Sequence, residues 1–328
     1  MKLYQVIFGF ILLCVCSSCL HHQTTTQSRK ATVLPEAISS QLTYPSSIPE
    51  IEYEKGDECD NYRIHLYEFV TAKVIHPDKK NQNLVKFELF ESKKALSDKP
   101  ALIIHPISGG SYILARYFAR HFSSRGWNCL VIKRYKLARH VIQPSSMNPV
   151  VRQVIINHKQ VLDWLDRSPW KTEFIADMGV SKGALQSAML TATDKRIKAA
   201  VFMLGGGDLP YVLAHSREGG VTRRREQYME QEGIDREEFH RRMLISLDFD
   251  PLNFAKYMDS SKILHVLARF DLAVPYRCGQ LLYEALPGSQ KYTLLAGHYS
   301  ALLFLPFITS ETEDFLITKR KLFLNKQL

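Results

Sequence analysis

Six short, nearly continuous apolar runs, "ALIIH", "NCLVIK", "EFIADMGV", "AAVFMLG", "KILHVLA" and "KYTLLA", recur between stretches with helical spacing. An apolar run of this length without alternation reads as a strand covered on both faces, because a half-exposed strand shows a polar residue at every second position. Strands of that kind alternating with helices predict an α/β protein with a mostly parallel sheet. The intervening helices are read from "YILARYFARHFSSRG", "VIINHKQVLDWLDR", "LQSAMLTATD" and "CGQLLYEAL". Ahead of these elements "YRIHLYEFVTA" and "NLVKFELF" do alternate, and the polar "HPDKKNQ" between them predicts an antiparallel hairpin at the sheet edge. The expectation is one sheet of eight strands flanked by helices.

A chain of 328 residues that is 45% hydrophobic is long enough for a large core. It sits near the upper end of what one domain holds, roughly 250 to 300 residues, so one domain with attached segments is the reading. One connection breaks the rhythm: about fifty residues separate "AAVFMLGGGD" from "KILHVLA", against the usual roughly 2 to 6. The spacing of Tyr228, Met229, Phe239, Met243 and Leu244 predicts a small helical insertion over about residues 209–258.

The first residues have the layout of a secretory leader. "MKLYQVIFGFILLCVCSSCL" runs from a basic Lys2 through an apolar stretch ending at Cys16 to small residues ending at Cys19. The apolar stretch falls short of the roughly 20 residues a spanning helix needs, so residues 1–18 read as a signal segment. "SSC" resembles the end of a bacterial lipobox, with Cys16 standing where that pattern usually has Leu. The resemblance implies acylation of Cys19, a lipid anchor in the membrane and, since Leu20 lacks an acidic retention signal, a place at the outer membrane. Residues 19–49, polar and rich in Thr, Ser, Gln and Pro, read as a flexible tether, in which the His21-His22 pair is solvated and binds no metal. The domain proper is then residues 50–328. Its three cysteines, Cys59, Cys129 and Cys278, make no disulfide framework. The net charge of +10 is scattered, with no zinc-finger spacing and no basic stripe interleaved with aromatics; it points to an anionic envelope surface and away from nucleic acid.

The stretch that carries chemistry is "ADMGVSKGAL", in which Ser181 stands between Gly179 and Gly183, after an apolar run and before a helix-forming one. A serine hydroxyl becomes a useful nucleophile only beside a base that a third group holds in place. Glycine-flanked serine serves that chemistry where the chain turns sharply from strand to helix, and this is that context. By itself the pattern is also an ordinary turn that needs two glycines. Over about residues 60–310 the chain resembles the α/β-hydrolases, of the bacterial esterase and dienelactone-hydrolase-like kind.

That resemblance implies an acid after a late strand and a histidine after the last one, in the order Ser, acid, His. "KILHVLARFDLAVPY" places Asp271 90 residues beyond Ser181, and "KYTLLAGHYSALLFLP" places His298 27 residues further on. Asp271 also fits a helix N-cap before Pro275, and Asp208, after "MLGGG", is a second candidate for the acid. His158 and His240 on helices and His265 in a strand read as surface or satisfied core residues. "IIHPISGGS" resembles the family's oxyanion loop, implying the backbone N–H of Ile107 and that of Lys182 as oxyanion donors, with His105 and Pro106 shaping the loop. Gly109-Gly110 lacks the further glycine and acidic partner of a dinucleotide site. The Lys182 side chain, at the positive end of a helix, meets an unfavourable dipole and reads as exposed or merely tolerated there, with only its backbone N–H implied in chemistry.

The resemblance thus implies an α/β-hydrolase fold with a helical cap, hydrolysing a small-molecule ester or related acyl bond through Ser181, Asp271 and His298 without metal or organic cofactor. A thioesterase or peptidase of the same fold, and a binding or structural envelope lipoprotein that keeps the scaffold without turnover, stand beside it.

Overall fold

The computed structural model describes residues 19–23, 27–46, 50–75, 83–96, 98–134 and 142–327, with side chains from residue 27 onward. The signal segment and the "HPDKKNQ" connection lie outside the described residues. Ten strands form one sheet: β1 (Cys19–Gln23), β2 (Ile51–Glu58), β3 (Tyr62–Val70), β4 (Leu84–Ser92), β5 (Ala101–His105), β6 (Asn128–Ile132), β7 (Ile175–Val180), β8 (Ile197–Met203), β9 (Ile263–Ala268) and β10 (Gln290–Leu294). Their order is β1-β10-β9-β8-β7-β5-β6-β4-β3-β2. The six apolar runs are the parallel strands β5 to β10. β3 and β4 are the expected antiparallel pair.

Two strands escaped the sequence reading. β2, "IEYEKGDE", pairs with β3 at the sheet edge and has no buried residue, so it lacks the apolar pattern by which strands are recognised. β1 pairs antiparallel with β10 at the opposite edge.

The helices are α1 (Glu36–Ser39), α2 (Ile113–Ser123), α3 (Pro144–Arg167), α4 (Lys182–Thr193), α5 (Leu209–His215), α6 (Gly219–Glu232), α7 (Arg236–Ser246), α8 (Pro251–Phe254), α9 (Tyr276–Glu284) and α10 (Leu305–Leu324). They cover both faces of the sheet. On one face Phe118 and Phe122 of α2 and Phe315 and Leu316 of α10 pack against Leu102, Ile104, Val201 and Val266. On the other, α3, α4 and α9 pack Ile155, Ala188 and Leu282 against Ile103, Ile175 and Phe202. Alternate residues of one strand, such as Leu102 and Ile103, feed opposite layers, which is why these runs are apolar at successive positions and do not alternate.

The connection after β8 is helical, and of the residues whose spacing predicts this, Tyr228, Met229, Phe239 and Met243 pack together while Leu244 is exposed. α5 and α7 pack together around Phe239, Met243 and Ala214, with Ile142, just ahead of α3, and Met147 of α3 closing the cluster. The cap is narrower than residues 209–258, because Phe254, Tyr257 and Met258 belong to the main core.

The tether expectation is corrected for residues 27–46. Leu42 is 2% exposed within the main core, and Leu34, Ile38 and Tyr44 pack on it. The backbone of Thr32 donates to Lys256 O at 2.9 Å, Arg29 N–H donates to Ser260 Oγ at 2.8 Å, and Tyr44 Oη donates to Asp163 at 2.6 Å. Leu34, Ile38 and Leu42 recur at intervals of four, and that spacing is the signal a composition-based reading of the segment overlooks.

Candidate active site

All the candidate residues sit at one edge of the sheet, beyond the C-terminal ends of the parallel strands, where α/β sheets place their ligands. Ser181 follows β7 directly and stands at the N-cap position of α4, its side chain making no capping bond. Its backbone has φ +58° and ψ −121°, a conformation that costs a side-chain-bearing residue about 1 to 3 kcal/mol and persists only where the surroundings impose it. Two glycines make the imposition possible. A Cβ at residue 179 would stand 2.1 Å from Gly183 O, and one at residue 183 would stand 2.3 Å from His105 O. Neither position has room for any other residue, and the Ser181 N–H is held by Met203 O at 2.8 Å.

Asp271 and His298 converge on this serine. His298 Nε2 lies 3.0 Å from Ser181 Oγ, and His298 Nδ1 lies 2.7 Å from Asp271 Oδ2. The other carboxylate oxygen, Asp271 Oδ1, accepts the N–H groups of Ala273 and Val274, each at 2.9 Å. Those bonds pin the carboxylate in a local turn and aim its free oxygen at the imidazole. Asp271 is therefore not a helix cap, since α9 begins only at Tyr276. With Nδ1–H donated to Asp271, the lone pair on Nε2 faces the serine hydroxyl.

Asp208 is engaged elsewhere. It caps α5 by accepting from Tyr211 N–H at 3.2 Å and lies 3.7 Å from Arg277. The other histidines take up buried or structural positions. His105 is wholly buried, with Nε2 2.7 Å from Asp177 Oδ1, and its ring packs on that of His158, centroids 4.6 Å apart. Burial holds the Asp177 carboxyl above its ordinary range, against the pull of His105. Burial likewise pushes His265 down to about 3 and holds His158 well below the usual imidazole range. His240 lies in α7 and stacks edge-on against Tyr211 and His215.

The loop after β5 stands over Ser181, and one residue overlooked in the sequence shapes it. The Arg134 guanidinium donates to the carbonyls of Ile107 at 3.1 Å, Gly109 at 2.8 Å and Gly110 at 2.5 Å, and stacks on the Tyr112 ring at 4.4 Å. Three carbonyls drawn to one side fix the peptide planes of the loop. Arg134 comes just after β6, the strand next to β5, and that topological adjacency is the only trace the sequence bears of its role.

Two cavities meet at Ser181. The first, about 320 Å³, is lined by Ile107, Leu114, Met203, His298, Tyr299 and Leu302. The second, about 270 Å³, runs beneath the cap and is lined by Met147, Val150, Leu185, Leu209 and Val212, together with Lys182 and Arg224. Ser108, Gly109, Ser181 and Glu218 line both. The exposed position expected for Lys182 is thereby corrected: its side chain lines the cavity under the cap, where burial first, then Arg224 and Arg134, push it down to about 8.

A model of the X-Pro dipeptidyl-peptidase (S15) family matches residues 146–255, a span that includes Ser181 and ends before Asp271 and His298. Curated proteins yield no match. Solved structures do. An acetyl xylan esterase from Paenibacillus sp. R4 is 16% identical over 86% of this chain and 91% of its own, with a TM-score of 0.61. Acetyl xylan esterase 1 from Thermoanaerobacterium sp. JW/SL YS485 is 15% identical over 90% of this chain and 96% of its own, with a TM-score of 0.60. A cold-adapted esterase from an Arctic intertidal metagenomic library is 16% identical over 81% and 97%, with a TM-score of 0.53. Identities this low speak to architecture alone, and together with the strand order they establish that the chain has the α/β-hydrolase fold.

Proposed function

We propose that this protein is a serine hydrolase that cleaves a small-molecule ester through an acyl-enzyme formed on Ser181. The observation that carries the reading is the continuous chain from Asp271 through both nitrogens of His298 to Ser181 Oγ, at 2.7 and 3.0 Å, where two cavities meet. Ser181 Oγ attacks the acyl carbonyl while His298 Nε2 takes its proton, and Asp271 stabilises the imidazolium. The N–H groups of Ile107 and Lys182 receive the oxyanion. That of Lys182 lies in the first turn of α4, where N–H groups lack helical partners and the helix dipole favours negative charge. His298 then returns the proton to the leaving oxygen, and water releases the acyl group by the same steps.

A fluorophosphonate probe tests this directly. It should label the folded protein at Ser181, located by peptide mass spectrometry, and not the denatured chain; absence of label in the folded protein would favour a scaffold that binds without turnover.

The S15 match favours a second reading, release of a dipeptide ending in proline. Such a substrate brings a free ammonium into a site where Lys182 and Arg224 already stand. Side by side, 4-nitrophenyl esters, an acyl thioester and an X-Pro 4-nitroanilide should rank with the ester first; a faster anilide would make the protein a peptidase.

The leader sequence supports a place in the cell envelope, with Cys19 acylated as the anchor. Among the described residues no helix is long and apolar enough to cross a membrane. Mass spectrometry of the mature N-terminus should find a diacylglyceryl group on Cys19, and an unmodified residue there would overturn the assignment.

A further inference from the structure

The two cavities at Ser181 are chemically unlike, and the serine-hydrolase reading, on which this inference rests, says which part of a substrate each receives. The leaving oxygen must take its proton from His298 Nε2, so the leaving group lies on the His298 side. His298 lines the first cavity and not the second. The acyl portion therefore enters the cavity beneath the cap.

That cavity has apolar walls and a cationic end. Ile142, Met147, Val150, Leu209 and Val212 supply the walls, and Lys182 and Arg224 supply the charge. Lys182 forms no ion pair among the described residues, and the neighbouring charges it feels most, Arg224 and Arg134, share its sign. The one acid in the lining, Glu218, turns its Oε2 to the N-terminus of α6, accepting the Val221 N–H at 2.7 Å, and among the described residues it forms no ion pair with Lys182. An enclosed ammonium without a counter-ion is costly, and a ligand carboxylate removes that cost. A plain alkyl acyl chain leaves it in place.

We propose that the cavity beneath the cap is a subsite for the anionic end of an acyl group, and that the preferred substrates are esters of dicarboxylic acids, with Lys182 and Arg224 reading the distal carboxylate across an apolar spacer.

The test compares 4-nitrophenyl hydrogen adipate with the chain-matched neutral 4-nitrophenyl hexanoate at low ionic strength. The wild-type protein should favour the adipate in kcat/KM by about tenfold or more, the scale of a charge-assisted hydrogen bond. Lys182→Met should lower that ratio by about tenfold, Lys182→Arg should restore most of it, and Arg224→Gln should lower it in the same direction. Each variant keeps its backbone N–H, and the ratio cancels any loss common to both esters. A wild-type ratio of one or below, or a ratio that neither Lys182→Met nor Arg224→Gln moves, would overturn the proposal. Hydrolysis of neither ester, together with no fluorophosphonate label, would instead overturn the serine-hydrolase reading beneath it.

Discussion

Replacing Ser181 by alanine should reduce kcat for any ester substrate by about 10⁴-fold or more, because the remaining site has an oxyanion pocket and a base but nothing to form the acyl-enzyme. Circular dichroism and a burst-phase assay separate this from unfolding. Among the described residues the Ser181 side chain makes a single hydrogen bond, to His298, so its loss should move the melting temperature by only a few degrees. Ser181→Gly should be as inactive but more stable than Ser181→Ala. At φ +58° and ψ −121° glycine relieves the strain that any Cβ maintains, a gain of about 1 kcal/mol. An alanine variant that still turns over with burst kinetics would dismiss Ser181 as the nucleophile.

Asp271→Asn should cost about 10⁴-fold in kcat while leaving the fold intact. The asparagine carbonyl can still accept from Ala273 and Val274, but its amide then faces His298 Nδ1 and donates to it. That forces the proton onto Nε2, the nitrogen that must be free to take the serine proton. Asp208→Asn should change kcat by no more than a few-fold, since an asparagine caps α5 nearly as well as the aspartate does. The reverse ranking, with Asp208→Asn the damaging change, would transfer the role of the acid.

How far these residues were legible in the sequence depends on the range of the interaction that fixes each of them. The parallel strands β5 to β10 could be read because burial on both faces is written locally, in runs such as "ALIIH" and "NCLVIK". β2 could not, because a strand exposed on both faces answers to its neighbour's backbone and not to burial. Ser181, Asp271 and His298 were candidates because each carries a local mark: two glycines, a turn before Pro275, a glycine-flanked loop after the last strand. Between Asp271 and Asp208 the sequence left the choice open. Both follow a parallel strand, and only the fold shows Asp271 aimed at His298 and Asp208 turned to α5.

Arg134 and Lys182 mark the limit. Arg134 acts on a loop about 25 residues earlier through three carbonyls, contacts that no local pattern encodes. Lys182, at the first position of a helix, read as exposed because most such residues are, yet α5 and α6 of the cap close over it and turn it into part of a cavity wall. The sequence by itself determined the doubly covered parallel sheet, the strand-to-helix turn at Ser181 and the order of the residues around it, because backbone sterics and the burial of apolar side chains act over a few neighbouring residues. The tertiary structure alone decided which carboxylate meets the imidazole, what holds the loop after β5, and that Lys182 lines the cavity under the cap with no ion pair among the described residues. Those outcomes depend on distances between residues remote in the chain, and hydrogen bonds and charges respond to such distances whatever the spacing along the sequence.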